Sequence, residues 1–222
     1  MTREVDVDAA ADLGVDAVGF VLYPASPRHV TLSRAAELTQ RLPPFVTPVL
    51  LFVNASSEQV EEAHRTIPNA LMQFHGDETP AFCRQIRTPY MRAARIPLDD
   101  NPVSSGERFD LVKYVFDFNT ATAILLDAHV DSYGGSGKTF NWSLLPPSVN
   151  AHLVLSGGLT PANVQSGITQ VRPCCKTLAV DVSSGVEISK GIKSLEKISQ
   201  FVAAVRAADT QLAEIHVPLS AT

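Results

Sequence analysis

Two short stretches near the C-terminus combine residue types suited to holding an anion. His152–Pro161 (HLVLSGGLTP) and Leu178–Glu187 (LAVDVSSGVE) are each a brief apolar run that ends in small residues. Gly157, Gly158, Ser184 and Gly185 carry little or no side chain, so their backbone N–H groups can approach a ligand closely. Pro161 suits the first turn of a helix, and a helix N-terminus beside bare N–H groups attracts negative charge. Two such loops on consecutive strands, about 25 residues apart, match the phosphate site that closes a barrel of alternating strands and helices. Either loop alone reads equally well as an ordinary turn. The ordered pair points to a phosphorylated small molecule.

Other residues stand where strands should end. Asp127 follows the apolar run Ala123–Leu126 and precedes a glycine-rich loop. A half-desolvated carboxyl there would hold a proton near neutrality, although strand-end Asp also serves simply to cap a turn. Arg28 follows Pro24 and Pro27, which stiffen its loop and let its guanidinium be aimed, unless it is an ordinary solvated arginine. His75 ends the run Leu71–Phe74 and either borders the same pocket or is structural. Gly134–Thr139 (GGSGKT) superficially looks like a nucleotide loop, but it lacks the required glycine spacing and an immediately preceding strand.

Short β-rich runs and amphipathic helical stretches alternate to position these groups. The strand candidates are Asp16–Leu22, Thr47–Val53, Leu71–His75, Tyr90–Ile96, Ala123–Asp127, His152–Ser156 and Leu178–Val182. Helical patterns cover residues 3–13 with Gly14 as C-terminal stop, Ser33–Arg41 with a serine cap, Ser57–Thr66 and Pro80–Arg87. They recur near Glu107–Val115 and at Trp142–Leu145, Pro161–Val171 and Ser194–Ala208. Several strands are continuous apolar runs, the pattern of parallel strands buried on both faces. The alternation predicts an α/β fold, a TIM-type (β/α)8 barrel in one domain over residues 1–208, with 209–222 as a tail. A helix comes first where such a barrel needs a strand.

Composition bounds the partners. The 222 residues are 45% apolar and 18% charged, enough for a large core and too apolar for disorder. A net charge of −5 without Lys/Arg clusters gives no nucleic-acid surface. The chain has neither an apolar run long enough for a membrane nor a signal-peptide pattern at Met1–Asp6. Cys83, Cys174 and Cys175 are an odd set without metal-ligand spacing, read as reduced thiols of a cytoplasmic protein, with no metal and no cofactor expected. Nothing distinguishes a monomer from a homodimer.

Seven segments in order carry a specific resemblance: Asp16–Arg28, Leu51–Asn54, Gln73–Glu78, Leu125–Asp127, Gly134–Trp142, Leu155–Pro161 and Asp181–Glu187. Through them the chain resembles the phosphoribosylanthranilate isomerase family of tryptophan biosynthesis, whose members are (β/α)8 barrels. The resemblance implies an aldose–ketose isomerase, an intramolecular oxidoreductase performing an Amadori rearrangement on a small phosphoribosyl substrate. It gives Asp127 the role of acid toward the furanose ring oxygen, and Arg28 the anthranilate end, whose carboxylate matches a planar fork. Asp181 would accept a hydrogen bond from a sugar hydroxyl. Gly157, Gly158, Ser184 and Gly185 would hold the phosphate, and Gly134–Thr139 would be the mobile loop after Asp127.

The chain departs from the family at its start. The family's first strand carries Lys-x-Cys-Gly, whose cysteine is the general base, followed by Thr-Arg; this sequence opens at Met1-Thr2-Arg3. Two explanations stand: a start internal to a longer protein, which we favour, or a true loss of the first strand, exposing two sheet edges. In either case the 222 residues are expected to show little isomerase activity. The competing functions are a non-catalytic phosphosugar-binding barrel and, ranked lower, an indole-glycerol-phosphate synthase, since Lys113 and Lys138 are not at clear strand ends.

Overall fold

The computed structural model describes residues 1–98, 109–128 and 139–216. Helix α1 (Glu4–Asp12) ends at Gly14, whose φ of 77° is the left-handed turn that releases the chain into β1 (Ala17–Val21). Then follow α2 (Leu32–Thr39), β2 (Thr47–Phe52), α3 (Ser57–Thr66), β3 (Leu71–Phe74), α4 (Pro80–Gln85) and β4 (Tyr90–Ile96). The second half comprises α5 (Leu111–Asp117), β5 (Ala123–Ala128), β6 (Val149–Leu155), α6 (Val164–Val171) and β7 (Cys175–Val180). A hairpin, β8 (Glu187–Ser189) and β9 (Ile192–Lys193), leads into the long helix α7 (Leu195–His216).

Helix starts follow from local chemistry. Ser56 and Gln59 form a reciprocal capping box on α3, and Thr79 caps α4 with Pro80 in its first turn. On α2 the cap is Thr31, not the expected serine, because the Thr31 hydroxyl reaches the Arg34 N–H. Pro161 does not start α6. Asn163 accepts from the Thr160 N–H and donates to the Gly158 carbonyl, which holds residues 161–163 as a turn before the helix. The stretch expected at Trp142–Leu145 is a single 3-10 turn. Helix α7 runs past Ala208 to His216, so the expected tail begins inside it; Leu212 still packs on the core.

Strands β1 to β7 form one parallel sheet in sequence order, curled so that its interior carries its own small cluster of Val49, Met91, Ala93, Leu125 and Val154. The larger core fills the layer between sheet and helices, where Phe20, Leu50, Met72, Phe74, Leu126 and Leu155 meet Ala35, Leu38, Val60 and Ile168. Successive strand residues alternate between these layers. In β5, Ile124 and Leu126 face the helices while Leu125 faces inward, and the same parity turns Asp127 inward.

Among the described residues the sheet does not close. No ladder joins β1 to β7, and between them runs a groove of about 750 Å³ whose floor includes Val49, Met91, Leu125 and Val154. Burial marks the two edges: β5 is almost wholly buried, whereas Ala17, Gly19, Thr177 and Ala179 are exposed although most are apolar. This is the barrel with one strand position vacant that the sequence predicts. Backbone groups turned to the groove lack ladder partners, so they should open more readily than those inside the sheet. We expect groove-facing amides of β1 and β7 to exchange with deuterium at least about tenfold faster than those of β4 and β5. Uniform protection across the seven strands would contradict an open sheet.

Candidate active site

Parallel register delivers every strand's C-terminal end to one mouth, and parity then selects which side chains enter it. Leu126 pairs with Leu155 and Leu155 with Val180, so Asp127, Ser156 and Asp181 follow as neighbours at the rim. A small cavity of about 80 Å³ there is lined by Arg28, His75, Asp127, Ser156, Gly157, Gly158, Asp181 and Ser184, among others. Six of the seven expected site residues, all but Gly185, therefore line one cavity together with His75 and Ser156.

Asp127 is 6% exposed and its two oxygens have different partners. Oδ1 accepts from the Ala128 N–H at 2.9 Å, and Oδ2 lies 2.9 Å from His75 Nε2. The Gln73 amide stands 3.1 Å from His75 Nδ1. With that amide donating, the ring proton sits on Nε2 and points at the carboxylate. His75 itself is held from behind. Arg92 Nη1 and Nη2 donate to the carbonyls of Phe74 and Gly76 at 2.8 and 2.9 Å, while buried Glu78 accepts from the N–H groups of Asn54 and Gly76.

Asp181 Oδ2 accepts from the Ser156 hydroxyl at 2.9 Å. Burial pushes the Asp181 carboxyl above its ordinary range and the nearby Asp127 charge adds to this, against the Ser156 hydrogen bond. The side chain is ringed by protein yet opens on the groove, where water tempers the effect. The two carboxyls thus occupy different settings, one bonded by two donors and one crowded toward its neutral form.

The glycine loops are shaped by close approach. Gly157 (φ 74°) and Gly158 (φ 69°) are both left-handed, and a Cβ at Gly157 would lie 2.5 Å from the Ala128 nitrogen. Gly185 is not on the cavity wall: a Cβ there would meet the Leu159 carbonyl oxygen at 1.9 Å. It lets the two loops touch. Arg28 is 13% exposed at its side chain and grips Glu187 through Nε and Nη2, both at 2.7 Å. Lys193 Nζ reaches Glu187 Oε1 at 3.0 Å and the Ser183 carbonyl at 2.8 Å. Burial would raise the Glu187 carboxyl, but Arg28 and Lys193 outweigh it and hold it below the usual range.

Sequence reasoning missed Gln73, Glu187 and Lys193 as site residues. Parity two positions before His75 would have found Gln73, and Glu187 closes the Leu178–Glu187 stretch. Lys193 has no local signal, since only the hairpin brings it back. The cysteines lie elsewhere: Cys83 is 1% exposed behind the sheet with its thiol pushed up to about 11 by burial, and Cys175 begins β7 at the opposite end. Gly134–Lys138 lie outside the described residues.

Comparison with known proteins decides the family. A model described as N-(5'-phosphoribosyl)anthranilate (PRA) isomerase matches residues 1–204. The chain belongs to this isomerase family. It is 56% identical over 211 residues to the N-(5'-phosphoribosyl)anthranilate isomerase of Leptothrix cholodnii, covering 95% of this chain and 90% of that protein. The Methylibium petroleiphilum enzyme is 54% identical, with 96% and 94% covered. The crystal structure of the Thermotoga maritima phosphoribosyl anthranilate isomerase superposes with a TM-score of 0.77 at 36% identity, covering 93% of this chain and 96% of that one. Another such isomerase, in complex with reduced 1-(o-carboxyphenylamino)-1-deoxyribulose 5-phosphate, gives 0.75 at 32% identity, with 93% and 95% covered.

Gly157 is the point where loop shape and carboxyl placement meet. We expect Gly157→Ala to destabilise the protein by about 1–3 kcal/mol, the usual cost of a non-glycine residue in a strained backbone region. Thermal melting would register it. A melting temperature unchanged from wild type would mean that the left-handed turn is not required.

Proposed function

We propose that the mouth performs the Amadori rearrangement of N-(5-phosphoribosyl)anthranilate to 1-(2-carboxyphenylamino)-1-deoxyribulose 5-phosphate. The observation that carries this reading is the single cavity shared by a hydrogen-bonded carboxyl (Asp127), a guanidinium (Arg28) and two bare-backbone loops. A phosphoribosylated aromatic amine with a carboxylate has three matching parts. Its phosphate would sit on N–H groups of Gly157, Gly158 and Ser184, with Gly185 supporting from beneath. Its carboxylate would meet Arg28, and Asp181 would accept from a ribose hydroxyl.

Asp127, in its protonated form, then stands as the proton donor to the furanose ring oxygen. Protonation there breaks the C1–O bond and leaves a positively charged imine at C1. Loss of the C2 proton gives an enol-amine, which collapses to the ketone as a proton is delivered to C1. Asp127 serves the first transfer; His75, holding Oδ2, fixes which way the carboxyl faces. The second transfer needs a base at C2, and among the described residues no cysteine lies at the mouth. That observation favours, for the 222-residue polypeptide itself, a second reading in which substrate binds with little turnover.

The two readings separate in an assay of complementation and rate. A positioned acid or base contributes about 10²–10⁴-fold, so the 222-residue polypeptide should fail to rescue a tryptophan auxotroph. A version extended at its N-terminus by a strand carrying Lys-x-Cys-Gly should restore growth and turnover. Asp127→Asn in the extended version should remove about 10²-fold or more of the rate. Robust growth on the 222-residue form would show that the base has been wrongly assigned.

A further inference from the structure

Arg28, Glu187 and Lys193 form a charge cluster beside the mouth whose side chains are 13%, 5% and 6% exposed. It holds two cations and one anion. Both Glu187 oxygens are spent: Oε1 takes Arg28 Nε and Lys193 Nζ, and Oε2 takes Arg28 Nη2. The nearest additional carboxyls do not balance it. Asp6 is engaged by Arg3 and by the Lys193 backbone N–H, and Asp181 accepts from the Ser156 hydroxyl. Arg28 and Lys193 share the single Glu187 carboxylate, so this shielded cluster suits an anionic ligand better than a cationic one.

The direction of each bond says what the cluster does. Glu187 fastens the Nε–Nη2 edge of Arg28, leaving Nη1 as the donor not committed to it. Lys193 fastens Glu187 in turn and grips the Ser183 carbonyl, one residue before Ser184. Glu187 opens β8 and Lys193 ends β9, so the hairpin ties the guanidinium to the phosphate loop through two rigid contacts. We propose that Glu187 and Lys193 are positioning residues that aim Arg28 and fix its span from the phosphate loop. They thereby select ligands with an aromatic carboxylate at one end and a phosphate at the other. This rests on the assignment of Arg28 to the carboxylate given above.

A purely structural ion pair would stabilise the hairpin without affecting ligand choice, and a ratio of affinities tells the two apart. The probes are reduced 1-(o-carboxyphenylamino)-1-deoxyribulose 5-phosphate and the same molecule lacking the carboxylate, titrated calorimetrically into the 222-residue protein. Wild type should favour the carboxylate-bearing probe by about tenfold or more, as a charge-assisted fork contact would. Glu187→Gln should shrink that preference to within about twofold while leaving the affinity for the other probe nearly unchanged. In an Arg28→Ala background the same substitution should alter neither affinity. If Glu187→Gln fails to fold by circular dichroism, Lys193→Gln is read by the same ratio. Equal weakening of both probes, or an undiminished preference, would overturn the positioning role while sparing Arg28. A wild type with no preference would instead refute the assignment of Arg28, and this inference with it.

Discussion

The mouth depends on parallel register in a pleated sheet. Strands β3 to β7 run parallel, so their C-terminal ends open on one mouth, and β3, β5, β6 and β7 are each followed by a polar side chain at the inward parity; His75, Asp127, Ser156 and Asp181 therefore converge although they lie far apart in sequence. Slipping any one strand by a single residue would turn its polar end residue into the apolar layer beneath the helices. The outer core prevents that slip. Phe74, Leu126 and Leu155 are fully buried on the opposite parity and fix the register of the very strands that carry the polar groups.

On that frame the polar groups are sorted by partner. Asp127 is bonded by a backbone N–H and an imidazole, whereas Asp181 has one hydroxyl and a neighbouring negative charge. Arg28 is largely shielded together with its countercharge, which limits how far solvent can average its direction. The glycines act where loops must nearly touch, Gly157 against Ala128 and Gly185 against Leu159. The missing side chain is what permits the backbones to approach so closely.

Much of this was legible in the sequence because the controlling signals are local. Continuous apolar runs placed the seven strands within a few residues of where they stand. Asp127, Gly157 and Gly158 were readable as strand-end residues beside glycines. The failures came from non-local contacts. Lys193 enters the site only through the hairpin, Asn163 displaces Pro161 as the helix start by binding back to Thr160 and Gly158, and α7 outlasts its expected end while Leu212 finds apolar cover. The contact of Arg28 with Glu187 is non-local in the same way and carries no signal in the sequence.

The most direct test of the account is a crystal structure of this protein soaked with reduced 1-(o-carboxyphenylamino)-1-deoxyribulose 5-phosphate. The account requires the phosphate on the backbone N–H groups between Gly157–Gly158 and Ser184, the carboxylate within about 3 Å of Arg28, and the sugar between Asp127 and Asp181. Ligand seated in the groove between β1 and β7, or with its phosphate away from both glycine loops, would contradict it.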